Sequence, residues 1–199
     1  MRNIYLGPPG TGKTSKLLEL VDNALEIGTP SRYIGYFAFT RAANEESINR
    51  ACTKFQLSRK DLPFFRTLHS LAFRQLGLKS NQVMGDQHYQ EFGEWLGLRI
   101  SGGLDRDTGV FYGNERGDEI LALINKARIR DISVEHQWYD DSSDISWLEV
   151  ERVDRALRLY KERREIVDYT DMLSLFLIQK PVPFLETIFI DEAQDLNRL

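Results

Sequence analysis

With 199 residues, 42% of them hydrophobic, and a formal net charge of −4, the chain can hold one large domain or a core domain with an insertion. This composition argues against wholesale disorder, and no apolar run approaches the roughly 18–20 residues needed to span a bilayer. Cys52 is the single cysteine and forms no internal disulfide, so a reducing, intracellular and cytoplasmic setting is the default expectation. In chain order, Asn3-Ile4-Tyr5-Leu6 is a short apolar run that predicts a strand. It feeds Gly7-Pro8-Pro9-Gly10-Thr11-Gly12-Lys13-Thr14, which matches the phosphate-binding pattern G-x-x-x-x-G-K-[ST]. Lys13 to Ile27 predicts a helix, with Leu17, Leu18, Val21, Ala24 and Leu25 at helical spacing. Gly28-Thr29-Pro30-Ser31 is a turn.

Tyr33 to Phe39 is a nearly continuous apolar and aromatic run, the pattern of a strand buried on both faces within a parallel sheet. Thr40 then caps a helix from Arg41 to Phe55. Pro63 to Thr67 predicts a short strand, and Leu68 to Leu76 a helix. Between Arg41 and Lys79 there are eight basic residues against three acids, a net of +5 in an otherwise acidic chain. Such a window suits a polyanion lying along one face, and it suits equally a solvated surface with chance clustering.

The middle of the chain changes character. Asp86 to Leu98 predicts a helix, and Ser101 to Gly117, with five glycines, predicts a loop or loose hairpin. Asp118 to Arg130 predicts a helix, Gln137 to Asp144 a polar linker or cap, and Ile145 to Arg164 the longest helix. Glu151/Arg155 and Asp154/Arg158 stand at i,i+4 spacing for ion pairs. Asp168-Tyr169-Thr170-Asp171-Met172-Leu173 opens a helix that Pro181 and Pro183 end. Thr187-Ile188-Phe189-Ile190 then predicts a strand running straight into Asp191 and Glu192, the end of a strand where an α/β sheet places its chemistry. The expected fold is α/β: a P-loop core of parallel sheet and helices over 1–79 and 166–199, interrupted by a mainly helical insertion over 80–165.

The candidate chemistry follows from residue type and position. Glycines let the loop amides turn inward, and the helix that follows adds its positive end, so together they cradle phosphate. Candidate nucleotide contacts are Gly7, Pro8, Pro9, Gly10, Thr11, Gly12, Lys13, Thr14 and Ser15. Lys13 is placed for the β- and γ-phosphates, and Thr14 with Asp191 for Mg²⁺. Hydrolysis also needs a group that orients water, for which Glu192 is the candidate base, while Gln194 is placed to touch the γ-phosphate. Each feature also has a plain structural reading: a glycine turn, or an ordinary solvated strand end.

Five segments, taken in order, resemble superfamily 1 helicases of the UvrD/Rep/PcrA type. They are Gly7 to Thr14, Phe39-Thr40-Arg41-Ala42-Ala43, Thr67-Leu68-His69-Ser70, Asp168 to Leu173, and Ile190-Asp191-Glu192-Ala193-Gln194-Asp195-Leu196-Asn197. The resemblance implies a RecA-like motor lobe with an inserted helical 1B-like subdomain. It implies ATP and Mg²⁺ as cofactors and single-stranded DNA as partner, with RNA a second option, and DNA contacts at Phe39, Thr40, Arg41, Thr67 and His69. From its own surroundings Phe39 fits a plain sheet core equally well. The family's adenine-reading glutamine precedes the phosphate loop, and here only six residues precede Gly7, so the choice of ATP over GTP rests on the resemblance and not on a residue of this sequence. A chain reaching only Leu199 is expected to hold the first lobe alone, to lack the second RecA-like lobe and its γ-phosphate arginines, and to turn over ATP slowly without unwinding. The compact start suits a small, streamlined source such as a phage. A non-catalytic nucleotide- or DNA-binding module and an AAA+ type ATPase are the alternatives; Asp191-Glu192-Ala193-Gln194-Asp195 and Thr67-Leu68-His69-Ser70 argue against the latter.

Overall fold

The computed structural model describes residues 3–8, 10–105, 109–141, 144–179 and 182–193. In chain order its elements begin with α1 (Lys13–Glu26), β1 (Ile34–Ala38), α2 (Arg41–Phe55), β2 (Phe65–Thr67), α3 (Leu68–Gln75) and α4 (Asp86–Leu96). They continue with β3 (Gly103–Leu104), β4 (Phe111–Tyr112), α5 (Arg116–Ile129), α6 (Val134–Asp141), α7 (Trp147–Arg164), α8 (Tyr169–Gln179) and β5 (Thr187–Ile190). The chain forms two compact units. One runs to Leu71 and resumes at Val182, and the other takes the chain between.

The first unit is an α/β core around a parallel sheet in the order β2-β1-β5. β1 lies in the middle and is buried along its whole length, as its unbroken apolar run predicts. Leu18, Val21 and Ala24 of α1 and Ile48 and Ala51 of α2 pack against Ile34, Tyr36 and Ala38 of the strand. Thr40 stands at the N-cap of α2, its hydroxyl accepting the Ala43 amide at 3.2 Å. Cys52 is half-buried against this core.

Asn3-Ile4-Tyr5-Leu6 departs from expectation, because it is not a strand. Ile4 and Leu6 are 75% and 92% exposed. An apolar run becomes a strand only where a neighbour takes its N–H and C=O groups, and none of the described strands runs beside it.

The second unit is helical, with Phe92, Ile120, Ile124, Val150 and Val153 at its centre. The glycine-rich stretch is a hairpin, with β3 and β4 antiparallel and Gly103 opposite Tyr112. Buried Asp118 ties the hairpin to α5, its carboxylate accepting the amides of Ser101, Gly102 and Glu115 and the Ser101 hydroxyl at 2.6–3.1 Å. The stretch expected as a polar linker from Gln137 to Asp144 is mostly helix, since α6 runs to Asp141. Its polar sequence hides an inward side: Gln137 is fully buried and accepts from Arg130 at 2.7 Å, while Trp138 Nε1 donates to the Ile145 carbonyl at 2.7 Å. α7 opens on a capping box between Ser146 and Glu149 and carries both expected i,i+4 pairs, Arg155–Glu151 and Arg158–Asp154.

The unit boundaries fall at 71/72 and 181/182, where the sequence reading put them at 79/80 and 165/166. The reason for the second shift lies at the start of α8. The Val167 amide donates to Gln82 and its carbonyl accepts from Met84. Asp168, 2% exposed, takes a two-point grip from Arg128 (2.7 and 3.0 Å) and a third bond from Lys161 (2.7 Å). Asp171 binds the same two cations, and the two aspartates cap each other's amides. Burial alone would raise the Asp168 carboxyl, but Arg128 and Lys161 outweigh it and hold it well below the usual carboxylate range. Among the described residues, no helix is long and apolar enough to cross a membrane.

Candidate nucleotide site and nucleic-acid face

Three parallel strands bring their carboxyl ends to one side of the sheet, where α/β proteins place ligands. Phe37 stands opposite Ile190, and Ala38 opposite Thr67. The Asp191 amide extends the ladder to the Phe37 carbonyl at 2.9 Å. One edge of the sheet therefore carries Asp191 after β5, Phe39 to Arg41 after β1, and Thr67 to His69 at the end of β2.

The phosphate loop adopts the backbone its glycines allow. Gly10 (φ 79°) and Gly12 (φ 83°) are left-handed, and Gly12 is the N-cap of α1. The Lys13 ammonium folds over the loop and donates to the carbonyls of Gly7 (3.0 Å) and Pro8 (3.4 Å). Thr11 Oγ1 also donates to Pro8, at 2.7 Å. Thr14 Oγ1, from the first turn of α1, donates to Asp191 Oδ2 at 2.8 Å across 177 residues of sequence. The glycine-rich loop and the acidic strand end are thus in direct contact through Thr14 and Asp191. Ser15, one residue on, is exposed.

Asp191 is 4% exposed and held from three sides. Oδ2 accepts from Thr14 and from the Tyr36 hydroxyl (2.9 Å), and Oδ1 accepts the Glu192 amide (3.1 Å). Burial pushes the Tyr36 phenol upward, so it stays protonated and acts as the donor. Glu192 is half-buried and has a left-handed backbone, φ 51°, which turns the chain sharply after the strand. Sequence reasoning took Tyr36 as plain sheet core. The available signal was a tyrosine in the middle of a buried strand, whose hydroxyl needs a partner.

The nucleic-acid candidates lie at the same edge with different exposure. Phe39 is half-buried and Arg41 exposed. Thr40 and Thr67 spend their hydroxyls on the backbone, Thr40 at Ala43 and Thr67, 7% exposed, at the Ser70 amide (3.2 Å). His69 is half-buried. Within the basic window, Arg50 and Arg59 are paired with Glu46 and Glu45, acids the net of +5 already includes, while Lys54 is paired with Asp22 from outside the window, which lowers the local excess by one. Pro9 and Gln194, both candidates, lie outside the described residues, as do Asp195 to Asn197.

The family model described as UvrD/REP helicase N-terminal domain matches residues 3–199. No curated protein matches the chain significantly. A family match over nearly the whole sequence, on an α/β core with the phosphate loop and acidic strand end in contact, means that the chain belongs to the UvrD/REP helicase N-terminal domain family, whose members are helicase domains that bind ATP and DNA.

Proposed function

We propose that the chain is the ATP-binding lobe of an ATP-driven DNA helicase or translocase, with Mg·ATP held between the phosphate loop and Asp191. The observation that carries this reading is the Thr14–Asp191 hydrogen bond. The donor set fits a hard cation. Thr14 and Asp191 offer a hydroxyl and a carboxylate, and no cluster of three or more His, Cys, Asp or Glu suited to a metal occurs among the described residues. Two protein oxygens, with the remainder from phosphate and water, is the set magnesium favours.

In this reading the amides of Gly10 to Gly12 and the start of α1 bind the phosphates. Lys13 exchanges the Gly7 and Pro8 carbonyls for β- and γ-phosphate oxygens. Thr14 and Asp191 would hold Mg²⁺, which when bound neutralises charge developing on the β–γ bridge. Glu192 takes the proton of the attacking water, and Gln194 contacts the γ-phosphate. Single-stranded DNA crosses the adjoining edge: Arg41 meets phosphate, Phe39 offers a stacking face, and His69 with the capped ends at Thr40 and Thr67 adds polar contacts. ATP is the preferred nucleotide and DNA the preferred strand on the strength of the family. Turnover by these 199 residues alone is slow and unwinding absent, because such motors use two lobes that open and close.

The test is a fluorescent-ADP titration with a parallel phosphate-release assay, with and without single-stranded DNA. The expected result is nucleotide binding that Lys13→Ala weakens about a hundredfold, roughly 2.7 kcal/mol, with little release of phosphate. Equal affinity in the Lys13→Ala chain would contradict the nucleotide site, and robust DNA-stimulated release would contradict slow turnover.

A further inference from the structure

We propose that Tyr36 is a positioning residue for the metal carboxylate, fixing the rotation of Asp191 so that its oxygens meet the cation ready-oriented; this rests on the nucleotide reading above. The Tyr36 ring is fully buried and stacks on Phe65, with centroids 5.1 Å apart and planes 16° from parallel. A ring so wedged cannot swing, so its hydroxyl, 2.9 Å from Asp191 Oδ2, is a fixed donor. Thr14 donates to the same oxygen, and the Glu192 amide takes the other.

The three donors differ in what they can do when a cation arrives. Thr14 is itself a proposed ligand. A hydroxyl that donates its proton to a carboxylate leaves its lone pairs for a metal. The Glu192 amide sits on a left-handed residue at the head of the turn after β5. Tyr36 alone comes from the middle of the central, fully buried strand. It therefore references the carboxylate to the most rigid part of the sheet. Partners that orient a metal ligand in this way typically change metal affinity by about 10–100-fold when removed.

The experiment uses the full 199-residue chain and Mn²⁺ as the probe, with free Mn²⁺ read by electron paramagnetic resonance in saturating ADP. ADP affinity in EDTA is measured alongside. Tyr36→Phe keeps the ring and its stack and removes only the oxygen. The expected result is Mn²⁺ affinity about tenfold weaker, with metal-free ADP affinity unchanged. Phe65→Leu serves as the second variant, since it loosens the ring's packing and leaves the hydroxyl, and it is expected to weaken Mn²⁺ binding less than Tyr36→Phe does. Three results would overturn the proposal: unchanged Mn²⁺ affinity in Tyr36→Phe while Asp191→Asn loses Mn²⁺; an equal loss in Phe65→Leu, which would put the effect in packing; or an equal loss of metal-free ADP. If Lys13→Ala leaves ADP binding intact, the nucleotide reading falls and takes this inference with it.

Discussion

The two units handle buried charge in opposite ways. In the helical unit, Asp168 and Asp171 meet Arg128 and Lys161, two acids against two cations, with short contacts on every side. In the sheet unit, Asp191 is as deeply buried as a core residue, yet its described partners are two hydroxyls and an amide, all neutral. A closed network of opposite charges holds elements together. Asp191 has no cation among its described partners, so it is not fastened by a counter-ion. The contrast separates an aspartate used for fastening from the one we propose as a metal ligand, although both belong to motifs of the same family resemblance.

Five expected outcomes sharpen or break this contrast, beginning with the largest. Asp168→Asn removes one partner and strands Arg128 and Lys161 on a single aspartate. It should cost about 3–5 kcal/mol in urea unfolding, without altering nucleotide affinity per folded molecule. The same carboxyl sets a pH dependence. Its folded-state pKa is depressed, so its contribution is present above the unfolded aspartate value near 4 and is lost as pH falls below that toward the folded value. Melting temperature should therefore drop below about pH 4, and drop less in Asp168→Asn. If both chains lose stability in parallel, the cluster is not the acid-sensitive fastening.

Lys13→Ala stands at the opposite pole. It should remove about 2.7 kcal/mol of nucleotide binding and leave the melting temperature of the nucleotide-free chain almost unmoved, because its only described bonds are to two loop carbonyls. Thr40→Ala tests a residue with a local and a proposed functional duty. Loss of the α2 cap should cost about 1 kcal/mol of stability; if DNA affinity, read by fluorescence anisotropy, falls no further than in a control lacking another cap, Thr40 is a cap alone. Glu151→Ala, which breaks an exposed pair on α7, should change stability by only a few tenths of a kcal/mol.

Much of this was legible in the sequence. The bounds of α2, its Thr40 cap, the strand after Glu186 and the pairing of Thr14 with Asp191 follow from periodicity, cap chemistry and motif spacing. The failures share a cause. Asn3 to Leu6 looks like a strand, but ladder formation depends on neighbours that a local reading cannot supply. α6 looks like a linker because its buried side is carried by Gln137, a polar residue that pays off only against Arg130 and α5. Asp168 and Asp171 were recognised as a motif, yet their cations come from α5 and α7, 40 and 7 residues from Asp168. Tyr36 was hidden for the same reason, since its partner lies 155 residues away.

The most direct test is a crystal structure of the chain with Mg²⁺ and a non-hydrolysable ATP analogue. The account predicts the cation between Thr14 Oγ1 and the Asp191 carboxylate, directly or through water, with the Lys13 ammonium moved from the Gly7 and Pro8 carbonyls onto the phosphates. Phosphates bound elsewhere, with Lys13 still on its loop carbonyls and Thr14 still bonded only to Asp191, would contradict it.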